Sequence, residues 1–302
     1  MPIVTANGID LYLRTLGPRD APALLMIQGL GMQLTDWPRP LLARLAQNCR
    51  VILYDNRDYG RSQLCGPAID EGLTEADYPF EPVRPHCAPY SLYDLAEDAR
   101  AVLDGLGIAT AHVAGFSLGG MIAQVLAARH PERVRSLVSL MSSAGQAVLP
   151  ASVPAARMLA RMIAHVPDRS RLIAQSLAAQ RVWSGPVHAI DAGRAARHFA
   201  LSYRRCYRPA AIHRQALAYA SAGERFDLLR TIRCPTLVIH GALDPLIPLA
   251  YAQEARRLIA ESRLLSLPDG AHDLHPALLP RIAAAVQTHV AESAASGLAH
   301  MA

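Results

Sequence analysis

The stretch VAGFSLGGMIAQVLA, residues 113–127, places Ser117 between Gly115 and Gly119, with Gly120 next in line. An apolar run leads into the serine and a helix-like pattern leads away from it. A serine hydroxyl on a mobile loop is a weak nucleophile. A sharp strand-to-helix turn fixes it above the sheet edge and aims the first N–H groups of the helix at the same space. That turn brings helix and strand almost into contact, so the residues two before and two after the serine must be small. Gly115 and Gly119 satisfy this. The chemistry served would be attack by an activated hydroxyl on a carbonyl carbon. The competing reading is a glycine-rich turn with an incidental serine; the flanking strand and helix patterns favour the nucleophile.

The surrounding elements must position that turn. IDLYLRTLG (9–17) alternates like a half-exposed strand, whereas ALLMIQG (23–29) and RVILYD (50–55) are the continuous apolar runs of buried parallel strands. TDWPRPLLARLAQN, between them, has helical spacing. Residues 63–90 are Pro-rich and acidic and read as a loop. Ser91 with Asp94 then forms a capping-box pattern that opens a helix ending near Gly105 and Gly107. AHVAGF is a strand, 118–130 a helix and RVRSLVSLM a strand. From about 145 to 230 the alternation stops in favour of helices rich in Ala, Arg, Leu and Met. It resumes with CPTLVIHG (strand), 249–260 (helix), SRLLSLP (strand) and 276–293 (helix), and the small-residue tail that follows is expected to fray. Such alternation predicts a parallel sheet covered on both faces and interrupted by a helical insertion.

On the Ser117 motif in this setting, the chain resembles the α/β-hydrolase superfamily over nearly its whole length. The resemblance implies a mostly parallel eight-stranded sheet flanked by helices, with a helical cap inserted before the last two strands. It divides the chain into a core of residues 1–144 and 231–302 and a cap of residues 145–230. It also asks for a histidine after the last strand, where LPDGAHDLH supplies His272, with His275 as competitor. An acid should follow the strand after the insertion. VIHGALDPLIP has Asp244 there, which also suits an Asp-Pro turn with Pro245. LMSSAG (140–145) lacks a carboxylate at the alternative position. The acid would fix the imidazole tautomer. An oxyanion hole would use the backbone N–H groups of Leu118 and Leu30, each such donor worth about 3–4 kcal/mol of barrier. In IQGLGMQ, Gln28 stands where the family usually has histidine; a plain loop at Gly29 and Gly31 is the alternative. YDNRDYGRS (54–62) resembles a structural turn of the family, with Asp58 where glycine is usual, Arg57 expected to bond neighbouring loops and Gly60 to allow the bend.

Composition removes other classes. The 302-residue chain is 51% hydrophobic with net charge +5, and all 30 basic residues are arginine. Without lysine there is no Schiff base, no pyridoxal phosphate linkage and no P-loop. No basic block clusters with aromatics, so a nucleic-acid partner is not expected. Cys49, Cys65, Cys87, Cys206 and Cys234 show no metal spacing, although Cys65 and Cys87 flank one loop and could pair in an oxidising compartment. The N-terminus carries no basic-then-apolar leader pattern, and no apolar run reaches membrane length. A cytoplasmic protein with no membrane association, metal or cofactor is the expectation.

Within the superfamily the chain looks most like carboxylesterases and the methylesterases of anthracycline polyketides, which implies a small-molecule ester substrate. Gln28, Gly29, Met141, Met158, Met162 and Trp183 are the candidate pocket residues, and each suits core packing as well. C–C hydrolysis, perhydrolysis and acyl transfer use the same three side chains and remain alternatives. A ligand receptor that kept the fold is a further one. Dehalogenases and epoxide hydrolases put Asp in the place of Ser117.

Overall fold

The continuous apolar runs become the inner strands of one sheet because both their faces are covered. The computed structural model describes residues 3–81, 84, 88–146 and 151–299. Its strands are β1 (Ile3–Ala6), β2 (Ile9–Leu16), β3 (Ala23–Ile27), β4 (Arg50–Tyr54), β5 (Ala111–Phe116), β6 (Val134–Leu140), β7 (Thr236–Gly241) and β8 (Ser262–Leu267). They lie in the order β1-β2-β4-β3-β5-β6-β7-β8. β1–β2 and β2–β4 pair antiparallel, and every later pair is parallel. Side chains alternate between two cores, with Leu25, Ile27, Ile52 and Val113 on one face and Leu24, Met26, Val51 and Ala114 on the other. Helices α1 (Arg39–Leu45) and α10 (Leu279–Ala299) bury leucines and valines on the second face. α2 (Leu92–Gly105), α3 (Leu118–Arg129) and α9 (Leu249–Leu258) cover the first.

α2 starts at the expected capping box: the Ser91 Oγ accepts the Asp94 N–H at 3.2 Å and the Asp94 carboxylate accepts the Ser91 N–H at 2.7 Å. Two helix bounds differ from expectation, and one strand was not foreseen. The short edge strand β1 was not apparent from composition; it pairs with β2 through Asn7 and Gly8, both at positive φ (51° and 77°), as a tight hairpin requires. α1 begins only after Pro38, and α10 runs Leu279–Ala299 instead of ending at residue 293. Cys65 is a free thiol, and Cys87 lies outside the described residues. Among the described residues no helix is long and apolar enough to cross a membrane.

Between β6 and β7 the chain forms α4 (Val153–Arg161), α5 (Arg169–Trp183), α6 (Ala192–Arg205), α7 (Pro209–Ala220) and α8 (Phe226–Arg230). α8 packs on α3 and α9. Two guanidinium forks tie α6 and α7 to the turn after β4. Arg205 binds Asp55, and Arg214 grips both Asp58 oxygens at 2.6 and 2.8 Å. The Tyr90 hydroxyl (3.0 Å) and the Cys65 N–H (2.9 Å) also donate to Asp58. This explains an aspartate at φ 75°, where glycine would be easier: the carboxylate is the anchor for α7. Arg57 reaches a helix rather than loops. Its fork meets Asp98 of α2 at 2.6 Å on both oxygens, and burial pushes the Asp98 carboxyl up against that pull.

Removing one partner of a buried pair leaves an uncompensated charge. Asp98→Ala is therefore expected to lower the unfolding free energy by about 3–5 kcal/mol in a urea titration. Asp58→Gly separates backbone strain from charge. Relief of the positive φ would return about 1–2 kcal/mol, whereas stranding Arg214 costs more. A net loss in the same titration is expected; a gain would mean that the Arg214 fork contributes nothing.

Candidate active site

β5 passes into α3 through a turn in which Ser117 adopts φ 53°, ψ −118°. This is a costly conformation for a side-chain-bearing residue and persists only where the surroundings hold it. Here the Ser117 N–H donates to the Leu140 carbonyl at 2.9 Å, and its carbonyl accepts the Ser142 hydroxyl at 2.8 Å. The glycines are required sterically. A Cβ on Gly115 would sit 2.0 Å from the Gly119 carbonyl oxygen, and one on Gly119 would sit 2.0 Å from that of Ile27.

The loops after β7 and β8 bring two more side chains to this turn. His272 Nε2 lies 3.0 Å from Ser117 Oγ, and its Nδ1 lies 2.7 Å from Asp244 Oδ2. Asp244 and His272 are buried. The other Asp244 oxygen accepts the N–H groups of Leu246 and Ile247, each at 2.8 Å, so the aspartate forms its local turn and meets the histidine at once. With the carboxylate at Nδ1, the proton belongs on Nδ1 and Nε2 is free to accept from the serine. The His272 N–H is held by the Trp183 carbonyl at 2.8 Å, a contact from α5. His275 is directed elsewhere: its ring stacks on His188 at 4.5 Å. A second imidazole sits under Asp244, unmarked by any motif. His240 is fully buried, donates to the Ile247 carbonyl at 2.7 Å and lies 3.4 Å from Asp244 Oδ2. Burial pushes its imidazole down, which keeps it neutral and leaves the aspartate's charge to His272.

The loop after β3 runs against the serine: a Cβ on Gly29 would lie 3.3 Å from Ser117 Cβ. The Gly31 N–H is taken by Gln215 Oε1 at 3.2 Å. The N–H groups of Leu30 and Leu118 have no hydrogen-bond acceptor among the described residues. Both residues border the cavity into which Ser117 and His272 open.

That cavity has a volume of about 920 Å³. Gly29, Met158, Met162 and Trp183 line it as expected, joined by Met121 and Tyr219, which no spacing had marked. Gln28 and Met141 do not line it. Gln28 is fully buried with its amide donating to the Tyr54 carbonyl, which ties the end of β3 to β4. Met141, at the end of β6, turns into the core on the α10 side. Each is the first residue past its strand, β3 ending at Ile27 and β6 at Leu140, and Met141 turns there at φ 43°.

The same architecture recurs among known proteins. The family model of the alpha/beta hydrolase fold matches residues 22–276. The rhodomycin D methylesterase DnrP of Streptomyces peucetius is 29% identical, over 95% of this chain and 97% of its own. The pimeloyl-[acyl-carrier protein] methyl ester esterase of Aeromonas hydrophila subsp. hydrophila is 31% identical, over 83% and 88%. Among solved structures, the enol-lactonase of Burkholderia xenovorans LB400 superposes with a TM-score of 0.73 at 22% identity, over 96% of this chain and 100% of its own. The chain belongs to the alpha/beta hydrolase fold family.

Proposed function

We propose that this chain is a serine esterase, cleaving a carboxylic ester of a hydrophobic small molecule through an acyl-enzyme. The observation that carries the reading is the unbroken hydrogen-bonded line from Asp244 through His272 to Ser117, opening onto a large cavity with methionine and tryptophan in its walls. In this mechanism His272 Nε2 takes the Ser117 proton as Oγ bonds to the ester carbonyl carbon, and Asp244 stabilises the imidazolium that forms. The carbonyl oxygen becomes an anion held by the N–H groups of Leu30 and Leu118. The tetrahedral species collapses with loss of the alcohol, which takes the proton from His272. Water, deprotonated by the same imidazole, then releases the acid and restores Ser117. No cofactor enters these steps.

Residues 145–230 act as a cap over the core formed by 1–144 and 231–302, and the cap's Met158, Met162 and Trp183 shape the acyl or alcohol side of the pocket. Methionine and tryptophan walls accept varied apolar shapes. Two of the relatives bear methyl ester hydrolysis in their names, which favours a small leaving alcohol.

Labelling with a fluorophosphonate, followed by peptide mapping, is expected to place the adduct on Ser117. Ser117→Ala should lower kcat on a p-nitrophenyl ester by about 10⁵–10⁶, and Asp244→Asn by about 10⁴, with both variants folding normally by circular dichroism. A Ser117→Ala enzyme that retains wild-type turnover would refute the assignment.

A further inference from the structure

The cavity over Ser117 has a cationic rim that the chemistry at the serine does not use. Arg39, at the start of α1, and Arg194 and Arg197, in the first two turns of α6, all line it and are all exposed. None of the three guanidinium groups makes an ion pair or side-chain hydrogen bond among the described residues. Other charged groups of the wall are engaged, Arg161 with Glu75 at 3.2 Å, Arg205 with Asp55 and Asp36 with His198 at 3.1 Å. Asp273, deeper beside His272, accepts the Ser184 hydroxyl through one oxygen only. Asp191 caps α6 by accepting the Arg194 N–H at 2.9 Å, so it offsets part of the positive charge without pairing to a guanidinium.

The imbalance extends through the sequence. Residues 145–230 contain thirteen arginines and four carboxylates, whereas the rest of the chain contains seventeen arginines and twenty-one carboxylates. A net positive insertion therefore sits on a net negative core. Several of its arginines fasten it to that core, as Arg205 and Arg214 do, but Arg194 and Arg197 do not. Guanidinium groups left unpaired at the mouth of a mainly apolar cavity attract anions and bind carboxylate or phosphate oxygens with two parallel N–H donors. An ester carbonyl at Ser117 is neutral, so the rim acts on a different part of the molecule.

We infer that Arg39, Arg194 and Arg197 form a subsite for an anionic group, a carboxylate or a phosphate, at the far end of the ester cleaved at Ser117. The substrate is then an amphiphile, with an apolar middle against Met158, Met162 and Trp183 and a charged end at the rim. This inference rests on the esterase reading and narrows its substrate class.

The test compares chain-matched methyl esters: neutral alkanoates, monoesters of straight-chain dicarboxylic acids, ω-phosphorylated alkanoates and ω-ammonium alkanoates. At low salt, kcat/KM for an anionic series is expected to exceed that of the neutral series by about tenfold, with the ammonium series below it. The advantage should shrink toward unity in about 0.5 M salt. Replacing both helix residues, Arg194→Gln with Arg197→Gln, should cut the anionic-to-neutral ratio by about fivefold. Whichever tail, carboxylate or phosphate, shows the larger ratio identifies the group. Neutral and anionic esters cleaved equally at every salt concentration would overturn the subsite and leave the esterase reading standing. No cleavage of any series, nor of a p-nitrophenyl ester, would overturn both.

Discussion

The approach of two backbones at the end of β5 is the constraint on which the rest depends. Gly119 lies so close to the Ile27 carbonyl of β3 that no side chain fits between them. The closeness bends the chain sharply enough to hold Ser117 at positive φ. Strand order makes this possible. With β3 and β6 on either side of β5, the loop after β3 supplies Leu30 and the carbonyl of Leu140 in β6 holds the Ser117 N–H. The parallel strands β7 and β8 then release their loops at the same edge, where open α/β sheets gather their sites. The serine, aspartate and histidine thus meet although 127 and 28 residues separate them along the chain, from Ser117 to Asp244 and from Asp244 to His272.

Electrostatic order follows from how each buried charge is satisfied. Two backbone N–H groups take one oxygen of Asp244 and leave the other for His272. A second imidazole nearby would compete for that oxygen if it were charged, and the burial of His240 keeps it neutral. Two forks, Arg205 on Asp55 and Arg214 on Asp58, fasten the helical insertion alongside single contacts such as Arg161 on Glu75. In a chain without lysine, every cation that ties cap to core is planar and double-donor, which sets orientation as well as distance.

The sheet, the turn at Ser117 and the capping box of α2 were legible in the sequence because each is local: periodicity, small residues at fixed offsets and a four-residue hydrogen-bond pattern. β1 was not read from the sequence, because its four residues carry little periodicity of their own. Histidine and aspartate positions came from resemblance, and the structure puts His272, not His275, against Ser117. Gln28 and Met141 were misplaced because spacing along a strand does not say where the first residue beyond it turns. The Arg214–Asp58 fork joins residues 156 apart, and the Trp183 carbonyl that holds the His272 N–H comes from 89 residues away. Contacts of that range arise only once the sheet has been assembled, so no short pattern announces them.

The central claim is that Ser117 becomes acylated. Rapid mixing of the enzyme with a p-nitrophenyl ester, acid quench within the first turnovers and mass spectrometry of the digested chain would test it most directly. The account predicts the acyl mass on the peptide carrying Ser117, at a level that rises before steady state and is absent from Ser117→Ala. Acylation of another residue, or continued turnover with Ser117 removed, would contradict it.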